Sequence, residues 1–459
     1  MWNPKVIDTD HVLYVAIADA IERDIYLGVL KPNEKMPPQR SLAKVIGVNL
    51  TTISRAYKEA EKRGLISGTV GSGTYVLPIN KKEFALPDIL KKDEEIIELG
   101  LVGSVKIEGD AISKHLSEIA EDSMLDTLLD YGPCQGIQRH REAAARWMKQ
   151  YGMKEDPDHV VLCSGAMHAI SCCLLGLFAP GDRIAVDVLT FTGFKNAAKM
   201  NHMKLEPVAM DEEGMIPESL ESLCERVQVK GIYLMPNMQN PTATAMSAER
   251  KNTIAAIIRK YNLILIEDDI YNFTNTQEQT ALSSLVPEQG IFICSISKLL
   301  FPGLRVAFAI VPDRYLYKFT NAVTNTIWMA SPLSCEIITR FIESGAARDM
   351  TMKKRRVIAR RLALAKEILS GYSFQTVDSS MFLWLTLPDG WTDAEFEHIA
   401  LLHKVRVIAA NKFSVGNHEV PRAVRISLNS VESDEQLTKG LHILVRMLKQ
   451  DPMLSVPIL

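Results

Sequence analysis

The run Ser295-Ile-Ser-Lys298-Leu-Leu-Phe-Pro302-Gly303-Leu-Arg305 carries residue types suited to chemistry. It lies between two apolar runs, Ile291-Phe-Ile-Cys294 and Val306-Ala-Phe-Ala-Ile310, and so reads as a polar turn between buried strands. A lysine amine there can form a Schiff base with an aldehyde. Ser295, Ser297 and Arg305 are of the types that hold a phosphate. Pro302-Gly303 bends the chain so that Lys298 and Arg305 can converge. Taken alone, the same residues also describe a solvated surface turn. Which of the two applies depends on what the rest of the chain supplies.

Ser164-Gly165-Ala166-Met167 follows the apolar run Val160-Val-Leu-Cys163 and opens a helix over residues 166–178. Backbone N–H groups at a helix start bind phosphate, and a glycine lets the backbone approach it. Pro236-Asn-Met-Gln-Asn240-Pro241 follows another apolar run. Asn240, held by the proline, can donate to a phenolate oxygen; the same stretch also fits a plain loop. Glu267-Asp268-Asp269-Ile-Tyr271 ends the next run. Three carboxylates at a strand end call for a cation. A protonated pyridine nitrogen is one and a metal is another. No His or Cys lies near them in sequence, which disfavours a transition metal and leaves magnesium open. Phe191 could stack on an aromatic ring or belong to the core.

These residues need elements to position them. Apolar runs at 160–163, 184–186, 231–235, 263–266, 291–294 and 306–310 are nearly continuous, as in strands buried on both faces, and helical stretches lie between many of them. That pattern predicts an α/β fold with a mainly parallel sheet and helices on both sides. Beyond about Arg314, long helices and strand-like runs at 381–385, 405–408 and 424–428 predict a smaller α+β lobe.

The N-terminal part reads differently. Residues 12–27 carry apolar side chains at helical spacing, ended by Gly28 and Pro32. A short helix at 41–45 is stopped by Gly47, and Asn49 is placed to cap the next helix. Leu65-Ile66 and Tyr75-Val76-Leu77 form two short strands around a turn rich in glycine, including Gly71. This is the layout of a winged helix-turn-helix. Asn49, Thr51, Thr52, Ser54 and Arg55 stand at the start of its second helix, where side chains reach base edges. From Lys35 to Arg63 there are seven basic residues against two acidic ones, and basic side chains neutralise phosphates. A small helical protein-interaction module is the alternative.

Composition sets the frame. The chain has 459 residues, enough for two or three domains, with 47% apolar and 23% charged residues, as in a soluble protein. No apolar run approaches the roughly 18 residues of a membrane span, and Met1-Trp-Asn-Pro-Lys5 starts no signal peptide. The seven scattered cysteines, with no CxxC pair, predict reduced thiols in the cytoplasm. The net charge of −3 points to no particular partner.

Lys35-Met-Pro-Pro-Gln-Arg40-Ser-Leu-Ala, Gly47-Val-Asn-Leu-Thr-Thr-Ile-Ser-Arg55-Ala-Tyr, Gly64-Leu-Ile and Gly71-Ser-Gly-Thr-Tyr-Val76 together resemble the GntR-family DNA-binding domain along its whole length. The resemblance implies DNA contacts at Arg40, the 51–55 turn and the wing near Gly71. Gln39 stands where many relatives have serine. Over residues 97–450 the ordered set Ser164-Gly165-Ala166, Phe191, Asn240-Pro241, Asp268-x-x-Tyr271, Ser295-x-Ser-Lys298 and Arg305 resembles the fold-type I pyridoxal-phosphate aminotransferases. That implies Lys298 as the lysine bound to pyridoxal 5'-phosphate and Asp268 as partner of the ring nitrogen. It implies Asn240 and Tyr271 on the ring hydroxyl, and Phe191 stacked on the ring. It further implies Ser295, Ser297, Arg305 and the turn at Gly165, Ala166 and Met167 on the phosphate, and Arg425 on a substrate carboxylate. Two departures stand out: Ala243 replaces a glycine and Leu189 a proline.

The two halves in one chain look like a MocR-type regulator. The expected domains are a winged helix-turn-helix at 1–78, a linker at 79–96 and an aminotransferase-like domain at 97–459. The large sheet is expected in 97–313 and the small lobe in 314–459. The expected function is a cytoplasmic, homodimeric transcriptional regulator that binds an operator and senses an amino acid or amine through pyridoxal phosphate. The alternative is a working aminotransferase with an accessory DNA-binding head.

Overall fold

The structure is a computed structural model that describes Trp2 and residues 13–26, 29–31, 34–62, 65–69, 73–76, 95–105, 111–154, 156–275, 280–416 and 418–450. Gly71 and residues 79–94 of the expected linker lie outside them. The chain divides into two compact units, Met1–Glu95 and Ile96–Leu459.

Among the described residues the first unit has three helices, α1 (Leu13–Tyr26), α2 (Gln39–Ile46) and α3 (Leu50–Lys62). They precede an antiparallel hairpin of β1 (Ile66–Thr69) and β2 (Gly73–Val76). Ile17, Ile21, Leu42, Ile53, Ala56 and Tyr57 form its core, recurring at the helical period that carries one face of each helix inward. Gly47 ends α2 with φ +78°, where its N–H bonds the Ala43 carbonyl at 3.0 Å. That left-handed turn costs a glycine little and redirects the chain into α3.

The second unit is built on a seven-stranded sheet. Its strands in chain order are β3 (Val160–Cys163), β4 (Arg183–Asp187), β5 (Lys204–Val208), β6 (Gly231–Leu234), β7 (Ile264–Asp269), β8 (Gly290–Ser295) and β9 (Ala307–Ile310). In space they run β3-β9-β8-β7-β6-β4-β5. The pairs among β5, β4, β6, β7 and β8 are parallel. β9 runs antiparallel to β8 and β3, because the short Lys298 turn brings it straight back beside β8. The edge strand β5 has no counterpart among the apolar runs of the sequence. It reads Lys-Leu-Glu-Pro-Val and among the described residues pairs only with β4, and a proline is tolerated on an edge.

Helices α4 (Ala166–Leu177), α5 (Thr192–Met200), α6 (Asp313–Ile327) and α7 (Pro332–Glu343) contribute buried side chains to the core of this large sheet. α4 packs closely on α6: a Cβ at Gly176 would stand 2.8 Å from the Lys318 carbonyl. After α8 (Ala346–Ile368) comes a four-stranded antiparallel sheet of β10 (Phe374–Gln375), β11 (Phe382–Thr386), β12 (Ile408–Ala409) and β13 (Ala423–Ser427), in the order β10-β11-β13-β12. The run 405–408 is split: Val405–Arg406 pairs in parallel with Ile97–Glu98, while β12 pairs with β13. Leu99 therefore lies in the small-lobe core with Leu383, Val424 and Leu437.

The topology fixes where chemistry can occur. The carboxyl ends of β3, β4, β6, β7 and β8 and the start of β9 all open on one edge of the sheet. In parallel α/β sheets ligands bind at that edge.

Candidate functional site

Each strand end delivers one part of the site. β7 ends in Glu267, Asp268 and Asp269, and strand alternation sends the middle carboxylate to the opposite face from its neighbours. Glu267 accepts the N–H groups of Leu282 and Ser283, at 3.0 and 2.6 Å. Asp269 accepts Asn237 and Asn272, both at 2.8 Å. Among the described residues Asp268 accepts only the Tyr233 hydroxyl, at 2.8 Å on Oδ2, and its Oδ1 is buried without a partner. Burial pushes the Asp268 carboxyl up to about 7, against the Tyr233 hydrogen bond, which lowers it. The three carboxylates thus serve three different partners. Among the described residues no group of His, Cys, Asp and Glu is arranged to hold a metal ion.

β8 ends in Ser295 and leads to Lys298. The Lys298 amine donates to the Val102 carbonyl. Burial, then the Arg425 and Arg305 guanidiniums, pushes it down to about 8. Arg305 starts the return with φ +52°, and its guanidinium donates to Ser297 Oγ at 3.4 Å. The Ser297 N–H bonds Ser295 Oγ at 3.3 Å.

β3 delivers the opposite wall. Gly165 stands at the start of α4 with φ +88°, and a Cβ there would overlap the Arg305 guanidinium. The first N–H groups of a helix have no intrahelical acceptor, so those of Ala166 and Met167 face outward beside Arg305. Phe191 starts α5, and a Cβ at Gly193 would meet its ring at 2.5 Å and the Met167 sulfur at 3.0 Å. Ser297, Arg305, Gly165, Ala166 and Met167 therefore form one anion cradle, with Phe191 next to it.

Asn240 and Tyr271 form the last wall with Arg425, which reaches in from β13. Arg425 donates to Asn240 Oδ1 and to the Gly100 carbonyl, both at 2.5 Å. Its guanidinium lies 5.0 Å from the Phe413 ring centroid, and its Nε is buried without a partner. Neither acceptor is a carboxylate. Burial pushes Arg425 down to about 10, against the opposing charges of Tyr271 and Glu98. Burial also raises the Tyr271 phenol, which lies against Arg425 and Asn240.

Several residues at the site were not singled out by the sequence. Tyr233 sits in the middle of a buried strand and reads as core. It is stacked on Phe194 with ring centroids 3.8 Å apart. His168 accepts the Ser164 N–H on Nδ1 at 3.1 Å and so braces the glycine turn. Gly100, Val102 and Ser104 belong to a strap that crosses the site with no motif of its own.

In the first unit Arg40, Asn49, Thr51 and Arg55 are exposed, while Thr52 and Ser54 are half-buried. The Ser54 hydroxyl donates to Gln39 Oε1 at 2.7 Å, tying α3 to α2. The Arg55 guanidinium lies over the Tyr14 ring at 4.3 Å, which aligns it along α1.

The cradle yields a direct expectation. Gly165→Ala would put a methyl group into the Arg305 guanidinium at a backbone conformation that alanine resists. Affinity for pyridoxal phosphate, read by fluorescence titration, should fall at least about tenfold. Unchanged affinity would remove Gly165 from the cradle.

Comparison with known proteins bears on both units. Residues 106–444 match the family model for aminotransferase class I and II, and residues 13–76 match the bacterial regulatory proteins of the gntR family. The HTH-type transcriptional regulator YdeF of Bacillus subtilis (strain 168) is 36% identical over 448 residues, spanning 97% of this chain and 96% of its own. The HTH-type transcriptional regulator YdcR of Escherichia coli (strain K12) is 25% identical, over 88% of this chain and 92% of its own. The fold of Pyrococcus horikoshii kynurenine aminotransferase, solved with PMP, matches 77% of this chain and 91% of that one with a TM-score of 0.72 at 23% identity. With a GntR-type DNA-binding head and an aminotransferase class I and II body matched along nearly its whole length, the chain belongs to the MocR-type transcriptional regulators.

Proposed function

We propose that this regulator binds pyridoxal 5'-phosphate in the body and reads an amino acid or amine there to set the operator affinity of its head. The observation that carries the proposal is a pair of buried orphan atoms in the site: Asp268 Oδ1, an acceptor without a donor, and Arg425 Nε, a donor without an acceptor. Leaving such groups unpaired costs about 1–3 kcal/mol each, so both call for a ligand.

The residues present fit the cofactor. Lys298 would hold it covalently through its unprotonated amine. Ser295, Ser297, Arg305 and the N–H groups at Gly165, Ala166 and Met167 would hold its phosphate. Asp268 would accept the ring N–H, Asn240 and Tyr271 would meet the ring hydroxyl, and Phe191 would cover the ring. When bound, the cofactor supplies an electron sink. The chain's own part is to favour the ionised form of Asp268 through Tyr233, against the burial that raises it, and to keep the Lys298 amine able to give up its proton near pH 8.

An effector carboxylate would take Arg425 from the Gly100 carbonyl. The strap from Gly100 to Ser104 is held by the same side chains that ligands would engage: Arg425 at Gly100 and Lys298 at Val102. It begins just after Ile96, where the second unit starts. Ligand binding would therefore free the strap at Gly100 and Val102 while Ser430 still holds Leu101 and Gly103, close to the point where the chain arrives from the head.

In the head, Arg40, Asn49, Thr51, Thr52, Ser54, Arg55 and the wing at Gly71 would meet double-stranded DNA. We take the working form as a cytoplasmic homodimer with two heads. Tyr131 and Trp328, exposed by 80% and 57% and paired edge to face, are aromatic surface that a second copy would cover.

A second reading, a turning-over aminotransferase, is favoured by Lys298 itself, since an amine titrating near 8 suits proton transfer.

The test is a titration of amino acids into cofactor-loaded protein with and without operator DNA, read by the cofactor's absorbance. Coupled sites must shift one another by the same factor. Superimposable curves for every ligand that binds would sink the sensor proposal, and steady release of a keto acid would favour the enzyme.

A further inference from the structure

Lys354, on α8, is a lysine with only 2% exposure, and none of its acceptors is charged. Its ammonium donates to Ser104 Oγ at 2.6 Å, to the Lys298 carbonyl at 3.3 Å and to the Leu300 carbonyl at 3.4 Å. The Ser104 hydroxyl in turn donates to the same Lys298 carbonyl at 2.8 Å. An ammonium buried among neutral acceptors is costly, and a leucine or methionine would fill the space without that cost. All three of its acceptors either flank the Lys298 side chain or belong to the strap across it.

We propose that Lys354 is a positioning residue for Lys298: it pins the peptide from which the Lys298 side chain springs and brings a further cation to the Lys298 turn. This rests on the reading of Lys298 as the cofactor lysine. Besides burial, two guanidiniums depress the Lys298 amine, Arg425 from β13 and Arg305 from the turn. Lys354, on α8, sits 3.3 Å from the Lys298 carbonyl and is itself depressed by burial and then by the Lys298 charge, so the two ammoniums repel one another. The carboxylate nearest by role, Asp268, is turned to Tyr233. Positive neighbours disfavour a protonated amine. With the Lys354 charge removed, Lys298 should hold its proton to higher pH. The pair is mutual: burial, then the Lys298 charge, pushes Lys354 itself down to about 8.

A purely structural lysine would leave the pH profile of Lys298 where it is, and this separates the two roles. The rate at which full-length protein captures added pyridoxal phosphate would be followed by absorbance between pH 6.5 and 10. Lys354→Met and Lys354→Gln both remove the charge; Lys354→Arg keeps it. In the two neutral variants the midpoint should move up by about half a pH unit or more, while Lys354→Arg should stay at the wild-type midpoint. A folded neutral variant with the wild-type midpoint overturns the proposal. If neither neutral variant folds, the wild type decides. Its lysines, labelled with 13C-methyl groups without cofactor, are followed by NMR against pH. Lys298 and Lys354 should titrate in two linked steps, and two independent titrations overturn the proposal. Failure of the underlying reading looks different: the wild type itself would then capture no cofactor.

Discussion

Lys298→Ala is expected to abolish visible absorption by the protein after dialysis, whatever the concentration of pyridoxal phosphate beforehand. The band requires a covalent bond to an amine, and Lys298 is the amine that opens on the cradle of Ser297, Arg305 and Gly165. The other nearby amine, Lys354, is buried and makes three hydrogen bonds away from the cradle. It has no free geometry to take over. In the wild type the bond forms from the unprotonated amine. Below about pH 8 most of Lys298 is protonated, so capture should slow about tenfold per pH unit there. Above that pH the rate should level off. The head has its own core of Ile17, Ile53 and Tyr57, so Lys298→Ala should still bind operator DNA. A visible band that survives dialysis in the variant would assign the cofactor bond to another amine.

The parts that could be read from the chain are those whose signal is local. β3, β7 and β8 announce themselves as unbroken apolar runs, because strands buried on both faces have no polar side. Gly47 and Asn49 mark the turn of the helix-turn-helix in the same local way. The cradle is local too, since Ser295, Ser297, Lys298 and Arg305 share one turn. The parts that could not be read are set by distance in the chain. Lys354 sits in Lys353-Lys-Arg-Arg356, which looks like a solvated basic face; only the packing of α8 shows that one of the four is buried. The strap of Gly100, Val102 and Ser104 offers backbone carbonyls and one hydroxyl, and a carbonyl leaves no trace in a sequence. Tyr233 was hidden by its own burial. The edge strand β5 was hidden by Glu206 and Pro207, residues that an edge accepts and a central strand does not. Ala243, where the resemblance implied a glycine, has a left-handed backbone at φ +58°, a conformation that glycine adopts more readily.

Arg425→Ala should produce the other large effect, on the ligand rather than the cofactor. The guanidinium is buried and meets two neutral oxygens, those of Asn240 and Gly100, and the faces of Phe413 and Phe382. A charge in such surroundings is held at a cost that an anionic partner would offset. A ligand carboxylate fits because it can accept two N–H groups of the fork at once. Losing one side of a buried charge pair costs about 2–5 kcal/mol, or roughly 30-fold to several thousand-fold in affinity. Arg425→Lys should recover little of it, because an ammonium offers no fork and Asn240 and Gly100 would compete for it. Cofactor absorbance should persist in both variants, since Arg425 makes no part of the phosphate cradle. The pH midpoint for cofactor capture should rise in Arg425→Ala, because one of the cations that depress Lys298 is gone. The measurement is the shift in cofactor absorbance during titration with an amino acid that binds the wild type, alongside the same amino acid as its amide. Arg425→Ala should weaken the acid and leave the amide nearly unchanged. Equal losses for both would mean that Arg425 shapes the pocket without reading the carboxylate. No loss for either would place the carboxylate elsewhere and leave Asn240 and Gly100 as the true partners of Arg425.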